Sequence, residues 1–466
     1  MALRLASPGI SVREVDLTRG GVDFTLNVVG GLAAPFAKGP CNEITRVNNE
    51  NELVEIFGKP GVGTTDYHYE TWFAASNFLS YGGKLDIVRS VGGDLNTANA
   101  AVGLANTTLL LEGLEDYNNN EASGTNWYFA AKNPGHWSEN IKVAIVDNAA
   151  DQTITPTLET GTIAATKVGF AVTQHLTGNT IGVGTVTAAT GILKGVVTGK
   201  TATTIDVKVV STVIGGSETL VDYQQNSQLE FKTGTMLNIV NNSGSTVGKS
   251  STVTSVDWYN SQNILTSVAD GGSDFTTLKW RAVLNKPQTN NYVSKRDGTN
   301  DAIHVVVVDA GGGVTGNVGS ILEKFPNLSK AKDGVASGNE AIFYKDFLAN
   351  NSEYIFSGAH VTNADDSHHG TLVLPGGITG FTSITAAEGA WGQDAKNIKF
   401  SSIGNQGYSL TGGLDYTGVG VYNAPLGDVL TSYEKFTDPV DSDIRFLLQG
   451  GCSGSKEEEQ AKANKL

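Results

Sequence analysis

A chain of 466 residues has room for about three domains, and its 39% hydrophobic and 17% charged residues describe a globular protein somewhat short of charge. A net charge of −15, with Lys and Arg dispersed and no basic run, argues against a nucleic-acid partner, because each phosphate contact consumes a basic side chain. Two cysteines at opposite ends, Cys41 and Cys452, read as free thiols of a protein made in a reducing compartment, and neither a signal peptide nor a membrane span is expected.

Residues 1–22 read as an N-terminal arm. After the break at Pro8-Gly9, the segment Ile10, Ser11, Val12, Arg13, Glu14, Val15, Asp16 and Leu17 is extended in character. Ile10 and Val12 fall on one parity, Val15 and Leu17 on the other. A strand buried on one face of its own sheet keeps one parity, so the shift means either a bulge in an ordinary first strand or an arm whose halves meet different neighbours.

Residues 23–97 form the first part of a core α/β domain. Strands are expected from Phe24 to Ala33 and over Ile44–Val47. A short helix from about Asn51 presents Leu53, Ile56 and Phe57 and stops at Gly58 and Pro60. A second helix from about Asp66 carries Trp72, Ala75 and Leu79, and Lys84–Val91 is a strand after Gly82-Gly83. A middle domain begins at 98–160, with strands Trp127–Ala131 and Ile141–Val146 joined by a turn on Pro134-Gly135.

Residues 161–256 are Thr-, Val- and Gly-rich, with glycines punctuating alternating runs such as Thr204–Val209, and predict an inserted all-β domain. The middle domain resumes over 257–340, with a buried-type strand at Ala302–Val308 and a short helix over Val318–Phe325 closed by Pro326. Residues 341–466 complete the core domain. They contribute a helix holding Phe343, Phe347 and Leu348, a strand at Tyr354–Phe356, a core strand at Ile444–Leu448, and a final helix opened by a Ser455/Glu458 capping box. The fold class expected is therefore α+β and multidomain, a mixed α/β core with nested β-rich insertions.

Three motifs carry possible chemistry, and each has a plainer reading. Gly311-Gly312-Gly313-Val314-Thr315-Gly316 follows a strand as a dinucleotide fingerprint does. No return strand follows at the right distance, Asp309 would repel a phosphate, and a glycine-rich turn fits better. Gly244–Ser250 resembles a phosphate loop but is one residue short and lies among strands, where no helix dipole is available. His368-His369 with Asp365 and Asp366 reads as a solvated turn rather than a metal site. No catalytic residue, cofactor-binding residue or metal ligand is assigned, and the chain is not expected to be an enzyme.

The segments outside 161–256 resemble the tail sheath proteins of contractile-tailed bacteriophages. The similarity runs in order through Ser7–Glu14, Gly39-Pro40, Leu53–Pro60, Asn77–Gly83 with Ile87–Val91, Asn133–Trp137, Leu322–Phe325 with Leu328-Ser329, Tyr344–Asp346 and Leu410–Gly413. The resemblance implies a structural subunit that stacks as six-fold rings around a tail tube protein, between baseplate and tail terminator proteins, and contracts without a cofactor. It also implies that Ile10–Leu17 is an inter-subunit arm, that 161–256 is an outer decoration, and that a further C-terminal inner domain is lacking from this sequence. A sheath of a related phage-derived injection system is the alternative, and a β-rich surface adhesin a more distant one.

Overall fold

The computed structural model describes residues 28–466 apart from 61–67, 93–96, 104–108, 122–126, 148–149, 168–169, 177–190, 222, 226, 228, 234–236, 242, 262–263, 265–277, 360–387, 390, 401–404, 417–423, 439–442 and 452–455. It combines helices with several sheets, a mixed α+β arrangement. The chain divides into two compact units, one comprising 1–36, 42–91 and 418–466, the other 37–41 and 92–417.

The first unit is built on β1 (Val29–Ala34), β2 (Ile44–Val47), α1 (Glu50–Phe57), α2 (His68–Ser80) and β3 (Lys84–Arg89). β1 and β3 run parallel from Val29↔Lys84 to Ala34↔Arg89, and β2 pairs antiparallel with β3. The Asn49 side chain caps α1 by accepting from Glu52 N, and the Glu52 carboxylate reaches back to Asn48 N at 2.9 Å. Gly58, at φ 88°, ends the helix, and its carbonyl accepts from Trp72 Nε1 at 2.9 Å. Leu53, Phe57, Trp72, Ala75 and Leu79 then pack on Leu32, Ala34, Leu85 and Ile87 of the sheet.

Two strand residues from the far end of the chain, Phe446–Leu447, add to β1 in parallel and give the order β2-β3-β1 followed by that strand. Gly30 is required beside them, because a Cβ there would lie 2.8 Å from Leu448 Cδ1 and 2.9 Å from Phe78 Cζ. The expected core strand at Ile444–Leu448 is therefore corrected. Only two residues pair, at a sheet edge, and Phe446 is 57% exposed. An apolar run fixes strand character but does not say whether the strand lies inside a sheet or at its rim.

In the second unit, β4 (Ala101–Gly103) and β5 (Trp127–Ala131) form a small sheet with Ile355–Ser357. β6 (Ile141–Asp147) belongs to a different sheet, so the Pro134-Gly135 turn links two sheets rather than closing a hairpin.

Between β6 and the return of mixed structure lie β7 (Gln152–Gly161), β8 (Ala171–Leu176), β9 (Gly191–Lys200), β10 (Ile205–Ile214), β11 (Ser217–Leu220), β12 (Leu237–Val240) and β13 (Thr246–Asp257). Their order is β9-β8-β12-β13-β7-β10-β11, and β9 also pairs with β10, so six antiparallel strands close into a barrel. Its interior is filled by residues including Ile154, Val172, Leu193, Val207, Phe231, Ile239 and Val253. Entry and exit of this segment adjoin, with Trp258 N donating to Asp151 O at 3.0 Å.

β14 (Ala302–Asp309) and β15 (Ser320–Ser329) complete the second main sheet, whose order is β15-β14-β6 followed by Asn405–Ser409. Every residue of β14 is buried, because Ile303, Val305 and Val307 face one core while Val306 and Val308 face a second one holding Trp258 and Trp280.

β15 corrects the helix expected over Val318–Phe325. The spacing of Val318, Ile321, Leu322 and Phe325 suits a helix, but pairing with the wholly apolar β14 prevails. Pro326 is tolerated because β15 is an edge strand and the register shifts there, between Ile303↔Leu328 and Val305↔Phe325. Opposite the shift, His304 Nδ1 accepts from Asn327 N at 2.9 Å and Nε2 donates to Asn285 O at 2.5 Å. Burial pushes the His304 imidazole below its ordinary pKa.

Candidate assembly surface

The two edges of the first unit's sheet differ in chemistry. At the β2 edge, Arg46 binds Asp86 through Nε at 2.7 Å and Nη2 at 2.9 Å, beside a cavity of about 600 Å³ lined by Asn42, Glu43, Ile44 and Lys435 as well. The hydrogen bond to Asp86 raises the Arg46 pKa further, so this edge stays charged. Charge on an edge strand discourages pairing with another chain.

The opposite edge presents two large apolar side chains beside the exposed Arg445. Arg445 N donates to Val29 O and Leu448 N to Gly31 O, both at 2.8 Å, holding the Phe446–Leu447 strand on β1. Among the described residues no strand pairs with its outer side. Phe446 and Leu447 are 57% and 41% exposed, and Phe73 on α2 of the same unit is 46% exposed. An open strand edge with large apolar side chains can accept an added strand: main-chain bonds give affinity and alternate side chains give specificity. Sequence reasoning placed these residues in the core; the only contrary sign was the strand's isolation between Arg445 and the Gly450-Gly451 loop.

The proposed arm, Ile10 to Leu17, lies outside the described residues, as do Asp365, Asp366, His368, His369 and Cys452. Cys41 is buried, its thiol donating to Gly39 O at 3.6 Å. In the glycine-rich segment after β14, the Asp309 carboxylate takes the position a phosphate would need, accepting from Val314 N at 3.1 Å, Thr315 N at 2.7 Å and Thr315 Oγ1 at 2.8 Å. A strand, not a helix, follows. Gly244–Ser250 enters the β12–β13 hairpin, where Asn241 Oδ1 accepts from Ser243 N and Ser245 N. No group of three His, Cys, Asp or Glu among the described residues could hold a metal, and no described helix is long and apolar enough to cross a membrane.

Within the second unit, several segments that carried the sequence resemblance meet one another as framework. Gly413 packs on the Asn133–Trp137 segment so closely that a Cβ would lie 2.2 Å from Gly135 O, and Gly412 N donates to Glu139 Oε1 at 3.0 Å. Glu323 accepts from Ser352 Oγ and Glu353 N, both at 2.7 Å, at the end of the Tyr344–Asn351 helix. Burial raises the Glu323 pKa, partly offset by those hydrogen bonds and by Lys132. Lys132 Nζ meanwhile donates to Ala349 O at 2.8 Å, satisfying a carbonyl of that helix's last turn. These contacts position elements; none of them brings a nucleophile to a base.

No protein-family model matches the chain. Over 92 residues, 20% of this chain, it is 38% identical to the tail sheath protein of Enterobacteria phage T4. Over 104 residues, 22% of this chain, it is 36% identical to the tail sheath protein of Vibrio phage KVP40. The matched stretches span only 13% and 14% of those proteins. Among solved structures, the sheath tail protein of Desulfitobacterium hafniense aligns at 16% identity and a TM-score of 0.15, covering 26% of this chain and 22% of that one. The sheath tail protein of Listeria innocua aligns at 12% identity and a TM-score of 0.16, covering 50% and 33%. Superpositions that loose carry no weight for the fold, and the likeness to sheath proteins rests on the phage sequences. Over about a fifth of its length, then, the chain is similar to the tail sheath proteins of two phages.

Proposed function

We propose that this chain is a structural, non-enzymatic subunit of a contractile tail sheath. It polymerises as six-fold rings stacked helically around a tail tube, between baseplate and tail terminator proteins, and contracts to drive the tube through a bacterial envelope during genome delivery. The subunit is assembled in the host cytoplasm and ends in the virion tail. No nucleotide or other cofactor takes part; the work comes from exchanging one set of subunit interfaces for a more favourable one. The observation that carries this reading is the match to two phage tail sheath proteins, and the open apolar edge at Phe446–Leu447 supports it.

In this reading Ile10–Leu17 of one subunit adds as a strand to a neighbour. Main-chain pairing of that kind holds neighbours together while side-chain interfaces change. The experiment co-expresses the chain with its tube protein and reads assembly by negative-stain microscopy. Val12→Pro, which removes a donor from the arm, and Phe446→Lys with Leu447→Lys, which charges the edge, are each expected to abolish tubes while the isolated subunit keeps its melting temperature within a few degrees. A large fall in melting temperature for Val12→Pro would instead make Ile10–Leu17 an ordinary strand of the subunit's own sheet.

A further inference from the structure

Asp147 ends β6, and Lys330 directly follows β15, the two strands that flank β14. Their side chains meet across β14, with Lys330 Nζ in contact with Asp147 Oδ1 and neither side chain exposed to solvent. Both backbones are pinned. Asp147 sits opposite Ile303 in the ladder, Lys330 N donates to Asp301 O at 2.9 Å, and Gly392 N donates to Lys330 O at 2.8 Å. The amine also donates to Asn300 O at 2.7 Å and lies 5.1 Å from the centre of the Trp391 ring, which Tyr344 meets edge-on at 5.3 Å. An amine and a carboxyl are thus held together in a dry, aromatic-walled site.

Two opposite charges taken wholly out of water lose much of what their attraction gains, and the pair of neutral groups, amine and carboxylic acid, becomes competitive with the ions. A neutral lysine amine is a nucleophile, and fixed orientation supplies a large part of what an intramolecular condensation needs. We propose that Lys330 and Asp147 condense to an intramolecular isopeptide bond, a covalent brace across β14. Nζ attacks Asp147 Cγ, one Nζ hydrogen passes to the departing carboxyl hydroxyl, and water leaves. A C–N bond forms and a C–O bond breaks, with no oxidant, reductant or cofactor required. The amide keeps one N–H, which the Asn300 carbonyl accepts, and the Trp391–Tyr344 wall excludes the water that would reverse the step.

The molecule holds its own comparison. Lys194 Nζ is 3.5 Å from Glu218 Oε1, which already accepts from Ser211 Oγ at 2.6 Å, and Glu218 keeps some solvent exposure. That pair remains an ion pair. The test is the denatured intact mass of the full chain. The mass is expected to lie below the sequence mass by one water, and proteolysis is expected to yield a branched peptide joining the Lys330 and Asp147 segments. Lys330→Arg, which keeps the charge, and Asp147→Ala are each expected to restore the full mass. The full sequence mass in the unsubstituted chain, with the two peptides recovered separately, overturns the brace and leaves an ion pair; so does a water loss that maps elsewhere. The reading is taken on unfolded, unsubstituted protein, so a variant that fails to fold cannot obscure it.

Discussion

His304 makes the second unit sensitive to acid in a way that can be isolated from every other group. The ring is buried on β14, with Nδ1 accepting from Asn327 N and Nε2 donating to Asn285 O, so both nitrogens are committed and only the neutral form fits. Burial lowers the folded-state pKa below the ordinary 6.5. The unfolded chain therefore binds a proton at a pH where the folded chain does not. Stability is fully present above about pH 6.5 and is lost as pH falls through the folded pKa, at a limiting slope of about 1.4 kcal/mol per pH unit for one proton. His304→Gln keeps a donor toward Asn285 O without titrating; it costs about 1–3 kcal/mol at every pH through the orphaned Asn327 N–H. Urea melts at a series of pH values between 7 and 5, followed by tryptophan fluorescence, should show the unsubstituted protein losing stability relative to the variant as pH falls. The subtraction removes carboxylates and the other histidines, which are common to both. Parallel pH dependences for the two proteins would refute the reasoning, because they would mean the folded state accommodates the His304 proton.

Gly161→Ala should destabilise the barrel by about 1–3 kcal/mol or more in urea melts, since the residue sits at φ 82° and its Cβ would lie 1.9 Å from Val247 O. Replacing residues 152–257 by a short Gly-Ser linker between Asp151 and Trp258 should leave a cooperative thermal transition in the remainder; its loss would make the barrel part of the core. Asp309→Ala should cost about 1–3 kcal/mol by orphaning the amides of Val314 and Thr315. It should not create phosphate affinity, which calorimetry with inorganic phosphate would measure.

The parts of the fold legible in the sequence were those where one element determines its own environment. Ala302–Val308 could only be a strand buried on both faces, and Leu53 with Phe57, or Trp72 with Ala75 and Leu79, could only be helix faces against a sheet. Asp309 was already suspect as a phosphate neighbour, and it proved to fill the turn itself. What failed depended on partners distant in sequence. Val318–Phe325 has helical spacing, yet β14 imposes a strand. The closure of the barrel by β9 on β10, and the exposure of Phe446 at a rim, follow from which strands are absent or present beside them, and no local pattern encodes that. The surface that supports the sheath reading was therefore hidden from sequence, while the family resemblance was not.

The first unit draws its sheet from segments far apart in the sequence, since β1 ends at Ala34 and its outer neighbour begins at Phe446. During synthesis the ribosome adds the intervening residues at about 5–20 per second, so that sheet waits roughly 20–80 s for its last strand. Over that interval the rim formed by Phe446–Leu447 does not exist. Under the proposed arm exchange, a chain becomes able to receive a neighbour only once Phe446–Leu447 has been made.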